Sequence, residues 1–148
     1  MAGILLRLDG GEVPKALAAL RRLLVDTKPL MEEIGEIIVS QGQESFANQA
    51  TPGGEPWLPS LRAQIEGGQT LADSGQLLAS LSDEMEIEAD TVAVGSSKVY
   101  AAIHQLGGQA GRGHAVKLPA RAYLPDEDSL DMAEINAAVE AHFQEAFA

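Results

Sequence analysis

VAVGSSKVYAAIHQLGGQAGRGHAVKLPARAYL, residues 92–124, is the stretch on which the reading of this chain turns. Val92-Ala93-Val94 alternates and is stopped by Gly95 and two serines, the pattern of a strand ending in a turn. Tyr100, Ile103 and His104 recur at helical spacing, and Gly107-Gly108 closes that helix. With four glycines between Gln105 and His114, that segment is expected to be mobile. Val116-Lys117-Leu118 then reads as a strand. Pro119 lacks an amide donor and should end the strand or hold it at an edge. From Thr91 to Arg121 there is no Asp or Glu, yet Lys98, Arg112, Lys117 and Arg121 all lie there. In a chain of net charge -12, this marks a positive region on an acidic body.

Upstream, Met85-Glu86-Ile87-Glu88-Ala89 alternates apolar and acidic residues and leads through Asp90-Thr91 into Val92–Val94, a hairpin with one acidic face. Asp73 or Ser74 can cap a helix to about Leu81, with Leu77, Leu78 and Leu81 inward. Residues 51–62 hold three prolines and two glycines and read as irregular, and residues 64–70 as exposed and mobile. Val13, Leu17, Leu20 and Leu24 make one face of a helix from Glu12 to Val25. Thr27 can cap a second from Pro29 to about Gln49, packing through Leu30, Ile34, Ile37, Ile38 and Phe46. Ile4–Leu8 before Asp9-Gly10-Gly11 reads as a short strand. Asp128 or Ser129 can cap a last helix that packs through Leu130, Ile135, Val139 and Phe143. The whole predicts a single α+β domain over residues 1–148. Its N-terminal amphipathic helices and C-terminal helix pack on a small, mostly antiparallel sheet. One core is expected from Leu17, Leu20, Ile34, Ile38, Leu77, Leu81, Ile87, Val94, Ile103, Val139 and Phe143.

Composition sets limits. Apolar residues make up 45% and charged residues 22%, which fits a folded chain, and aromatics at 4% leave the core to aliphatics. No apolar run reaches the ~18–20 residues of a membrane span. MAGILLRLDGGE turns acidic too soon for a signal peptide, so an intracellular product is expected. Cysteine is absent, which removes disulfides and thiolate metal sites. The acidity opposes general nucleic-acid binding. Residues 126–148 carry seven acids and no Lys or Arg, either a solvated face or a complement to the acid-free middle on a neighbouring subunit.

Candidate chemistry is sparse. His104, His114 and His142 lack the close spacing of a helical zinc motif. His104, one turn after Tyr100, reads as a hydrogen-bonded structural histidine, with a ligand or general base as the alternative. Trp57, between Pro56 and Leu58-Pro59, either anchors a partner or pins its loop to the core. Arg121 follows Pro119 on a stiff path suited to a carboxylate pair. Its partner is either internal, such as Glu86 or Asp126, or on another subunit. No cofactor is implied.

Three parts of the opening stretch carry a resemblance: Val94-Gly95-Ser96, Tyr100–Gly108 and Leu118–Leu124. So do Pro52–Pro59 and Leu71–Leu81, which contains Gly75, all in the same order. Together the chain resembles the phage virion morphogenesis family, the tail completion proteins of Mu-like and related tailed phages. Gly75, Tyr100, His104, Gly107, Gly108 and Pro119 are motif positions expected to serve structure. The resemblance implies a non-enzymatic assembly protein at the head–tail junction, encoded by a phage or prophage. It would form a homo-oligomeric ring in the virion neck or tail after assembly in the host cytoplasm. Its partners would be other tail or neck proteins, with no membrane, and with DNA only where it passes a ring lumen. Trp57, Lys98, Arg112, Lys117 and Arg121 are the candidate interface. Two other classes compete. One is a small metal-dependent hydrolase using His104, His114 and nearby carboxylates; the other is a DNA-contacting neck module using Lys98, Arg112, Lys117 and Arg121.

Overall fold

A computed structural model describes residues 12–145, Ala89 apart; the strand expected at Ile4–Leu8 lies outside them. Among the described residues the fold is α+β, with six α-helices and two separate two-stranded antiparallel sheets. The small sheet read from the sequence is therefore two hairpins.

The centre is α2, Lys28–Asn48. Leu30, Gly35, Ile37, Val39, Gly42, Ser45 and Phe46 are buried along it. These positions lie on more than one side, as in a helix surrounded by other elements. On one side Val39 and Phe46 join Trp57, Leu77, Leu81, Ala101 and Tyr123. On the other, Leu30 and Ile37 join Ile135 and Ala138. The expected single core is thus two clusters sharing α2. Leu77 and Leu81 are buried as read, while Ile34, Val94 and Val139 are partly buried against the clusters. Leu17 is 45% exposed, because α1, Glu12–Val25, meets the body mainly along α6, Met132–Gln144.

The helices form where they were read, but the three side-chain caps expected at Asp73 or Ser74, Thr27, and Asp128 or Ser129 do not. Asp131, not Asp128 or Ser129, caps α6 by accepting from Glu134 N at 3.0 Å. Asp126 and Ser129 instead bond each other in the preceding turn. Gly75 occupies the cap position of α4, Gln76–Asp83, with φ 72°. Thr27 stands at the α2 cap position without a side-chain cap bond. Residues 51–70, read as irregular and then mobile, contain a helix, α3, Leu61–Glu66. Ser60 Oγ caps it from Ala63 N at 3.1 Å. Buried Thr70 ties its far end down, taking a bond from Ser60 N and giving its own amide to Gln49.

The first hairpin pairs β1, Glu86–Ile87, with β2, Val92–Ala93, in the register Glu86↔Ala93 and Ile87↔Val92. It packs on α2 at Gly35, where a methyl group would overlap Met85 Sδ and stand 2.9 Å from Val92 Cγ2. Helix α5, Ala101–Leu106, leads into the second hairpin, β3, Gly108–Ala110, paired with β4, Val116–Leu118. The glycine-rich segment read as a mobile loop is this hairpin. β4 ends before Pro119, as its missing donor requires.

Candidate functional site

After Pro119 the chain runs extended alongside α5. Arg121 N donates to His104 O at 2.8 Å. Gly107, at φ 73°, permits this approach: a Cβ there would lie 2.7 Å from Ala120 N. Alternation then directs Arg121 and Tyr123 inward; they are 5% and 2% exposed. Gln105 locks the strand-like exit, accepting from the amides of Tyr123 and Leu124 at 3.0 Å and donating to Leu124 O at 3.1 Å. Tyr123 OH donates to Ala101 O at 3.0 Å, and burial pushes its phenol pKa up.

Arg121 Nε donates to Leu58 O at 2.6 Å. No acceptor for its two Nη groups exists among the described residues, and it belongs to no ion pair there. Arg121 lines a groove of about 470 Å³ with Tyr100 and His104 of α5, Leu118, Leu77 and the Ser60–Arg62 and Leu71–Ser74 segments. His104 Nδ1 is buried without a hydrogen-bond partner, and its ring lies 6.0 Å from that of Tyr100. Burial first, then the Arg121 charge, hold the His104 pKa below the ordinary range, so the imidazole is neutral at pH 7. At the rim Arg62 meets Asp73 at 3.8 Å. Leu71 lines the groove with its backbone held left-handed, φ 63°, a strained state for such a residue. A neutral, desolvated histidine beside an unanswered guanidinium can receive an anion. Among the described residues no group of three His, Asp or Glu side chains could hold a metal ion.

Several expectations need correcting here. Among the described residues Arg121 pairs with neither Glu86 nor Asp126; it is 5% exposed, and its Nε finds a main-chain carbonyl instead. Trp57 is 6% exposed, stacks edge-on with Phe46 at 5.4 Å and donates Nε1–H to Ala122 O at 2.9 Å. Of the two readings of this residue, these contacts match the one in which it pins its loop to the core. His104, read as a hydrogen-bonded structural histidine, has no partner at Nδ1 among the described residues. The four cations do not form one patch: Lys98 is half-buried, Arg112 and Lys117 are exposed on the second hairpin, and Arg121 is buried. His114 is exposed. Sequence reasoning missed Tyr123, Gln105, Arg62 and Leu71. The alternation Arg121-Ala122-Tyr123 was a usable signal for the inward pair; nothing in the sequence marks Leu71 as left-handed.

The family model described as the phage virion morphogenesis family matches residues 8–144. The chain is similar to a curated protein of Haemophilus influenzae, the Mu-like prophage FluMu G protein 2. The two are 35% identical over 125 residues, covering 83% of this chain and 85% of that one. No solved structure matches.

Proposed function

The chain belongs to the phage virion morphogenesis family, and from that premise we propose that it completes the phage tail at the head–tail junction, as one subunit of a ring that joins or caps the tail. The observation that carries this reading is the match across residues 8–144, which takes in both hairpins, the groove and all six helices. The role is mechanical: subunits hold one another and neighbouring tail or neck proteins through buried area and complementary charge. The chemistry of the surface suits it. Arg112 and Lys117 stand exposed on a projecting hairpin, and the groove offers an unanswered guanidinium. The protein would assemble in the host cytoplasm and end in the tail or neck, with no cofactor and with DNA contacting it only through a ring lumen.

The test is loss and restoration of joining. Deleting the gene from an inducible prophage should leave filled heads and free tails in the lysate. Adding purified protein should restore infectious particles. Heads that fail to mature, or intact particles without the protein, would overturn tail completion while leaving the family assignment untouched.

A further inference from the structure

We propose that the Arg121 groove is a socket for a carboxylate of a second copy of this chain, supplied by the acidic corner formed by Asp126, Glu127 and Asp128. The inference rests on the ring reading and names the contact that would build it.

The socket begins with an unusual burial. Arg121 is 5% exposed, yet only its Nε has an acceptor among the described residues. The rest of the guanidinium lines the groove with no protein acceptor among the described residues, so its free donors are met only by solvent that an incoming anion can replace. A carboxylate is its natural complement, since two parallel N–H···O bonds match the fork. Beside it His104 Nδ1 is a buried polar atom with no partner among the described residues. At the rim Arg62 donates one Nη to Gln69 O at 2.8 Å, and its ion pair with Asp73 is long, with the Asp73 side chain 80% exposed, so the other Nη can turn to an incoming anion.

The walls decide between kinds of anion. Leu71, Leu77 and Leu118 line the groove, and Leu58, whose carbonyl meets Arg121, and Leu61, between the lining residues Ser60 and Arg62, are 65% and 71% exposed. A protein segment that carries apolar side chains next to its carboxylate covers this surface. A phosphodiester backbone does not, and it would bring repeated charge against a chain of net charge -12.

The acidic corner has the required chemistry. Glu127 and Asp128 are exposed on a turn, and Met132, 48% exposed, follows at the start of α6. Asp126 fixes the turn by accepting from Ser129 N at 2.9 Å. No Lys or Arg lies between Asp126 and Glu145 to neutralise it. Corner and groove share no lining residue, so copies can join head-to-tail, the kind of contact that closes rings.

Because the chain has no cysteine, Ser74→Cys on the groove wall and Met132→Cys on the corner report only their own proximity. The full-length double variant, treated with a short bismaleimide, should give a ladder of covalent oligomers. Each single variant should give dimers at most. Adding Glu127→Lys with Asp128→Lys should cut ladder yield at least ~10-fold, as expected for removing charges that steer and orient association. In the assembled parent, the His104 titration should move up relative to this Lys variant, because a seated carboxylate offsets the Arg121 charge. Non-covalent oligomers without a ladder would overturn the socket and leave the ring reading standing. A chain that stays monomeric, and joins tails as a monomer, would overturn both. Protection of the Ser74→Cys thiol by duplex DNA, without a ladder, would overturn the socket in favour of phosphate.

Discussion

The two hairpins are near equals in size and opposites in setting. β1–β2 lies on α2, close enough that a side chain at Gly35 would have to displace Met85 and Val92. Glu84, at its entry, accepts from Ser97 N and Ser97 Oγ just beyond its exit. β3–β4 pairs mainly with itself, leaves Val116 52% exposed, and turns through Arg112–His114 with Gly113 and His114 both at positive φ. The first is acidic and helps hold the body together; the second is basic and presents its charge outward. Alternation around a turn announces the first, while the glycines of the second read as a mobile loop. What separates them is whether a helix offers a bare backbone to pack against.

The largest expected effect comes from taking that bare backbone away. Gly35→Ala should destabilise the protein by ~1–3 kcal/mol through overpacking, despite alanine's better helix propensity. Adding Met85→Ala should recover part of the loss, as denaturant melts of the single and double variants would reveal. An unchanged midpoint for Gly35→Ala would mean that the first hairpin is no more tightly held than the second.

A middle-sized effect lies in α5, which links the two hairpins. His104 takes up a proton less readily folded than unfolded. Stability should therefore fall as pH drops from about 6.5, the ordinary histidine value, towards the lower folded pKa, and the penalty is complete below it. Comparing melting temperatures of the parent and His104→Gln across this window isolates the term, since the acidic residues common to both cancel. A parent curve parallel to that of the variant would show the groove to be well hydrated.

The smallest expected effect is in the outward hairpin. Arg112→Ser with Lys117→Ser should change the stability of the isolated chain by no more than ~0.5 kcal/mol, the usual range for surface substitutions, yet reduce tail joining in the restoration assay. A clear loss of stability would place this hairpin in the body and erase the contrast.

How much of this could be read beforehand follows from the range of each interaction. α1, α4, the first hairpin and the end of β4 rest on periodicity, turn residues and a proline, all local, and they lie where the sequence puts them. α3 was hidden because prolines before it outweighed the Ser60 cap. The groove was illegible for another reason. Its residues come from four separated segments, and Arg121 Nε finds its acceptor on a carbonyl 63 positions away. Charge counting alone reads such an arginine as surface, whereas the strand-like alternation with Tyr123 points it inward.

Gln41 gives one further consequence. Its side-chain amide donates to Ser129 O and accepts from Asp131 N, bridging 88 and 90 positions, and Trp57 reaches Ala122 across 65. Contacts of such separation make the chain search before it is rewarded, which slows folding relative to a bundle of similar length. During synthesis α2 must wait with Phe46 and Trp57 uncovered until the residues around Tyr123 leave the ribosome. The rate at which subunits mature would then be set by the last quarter of the chain, and a nascent subunit could not present its groove before its own acidic corner had been made.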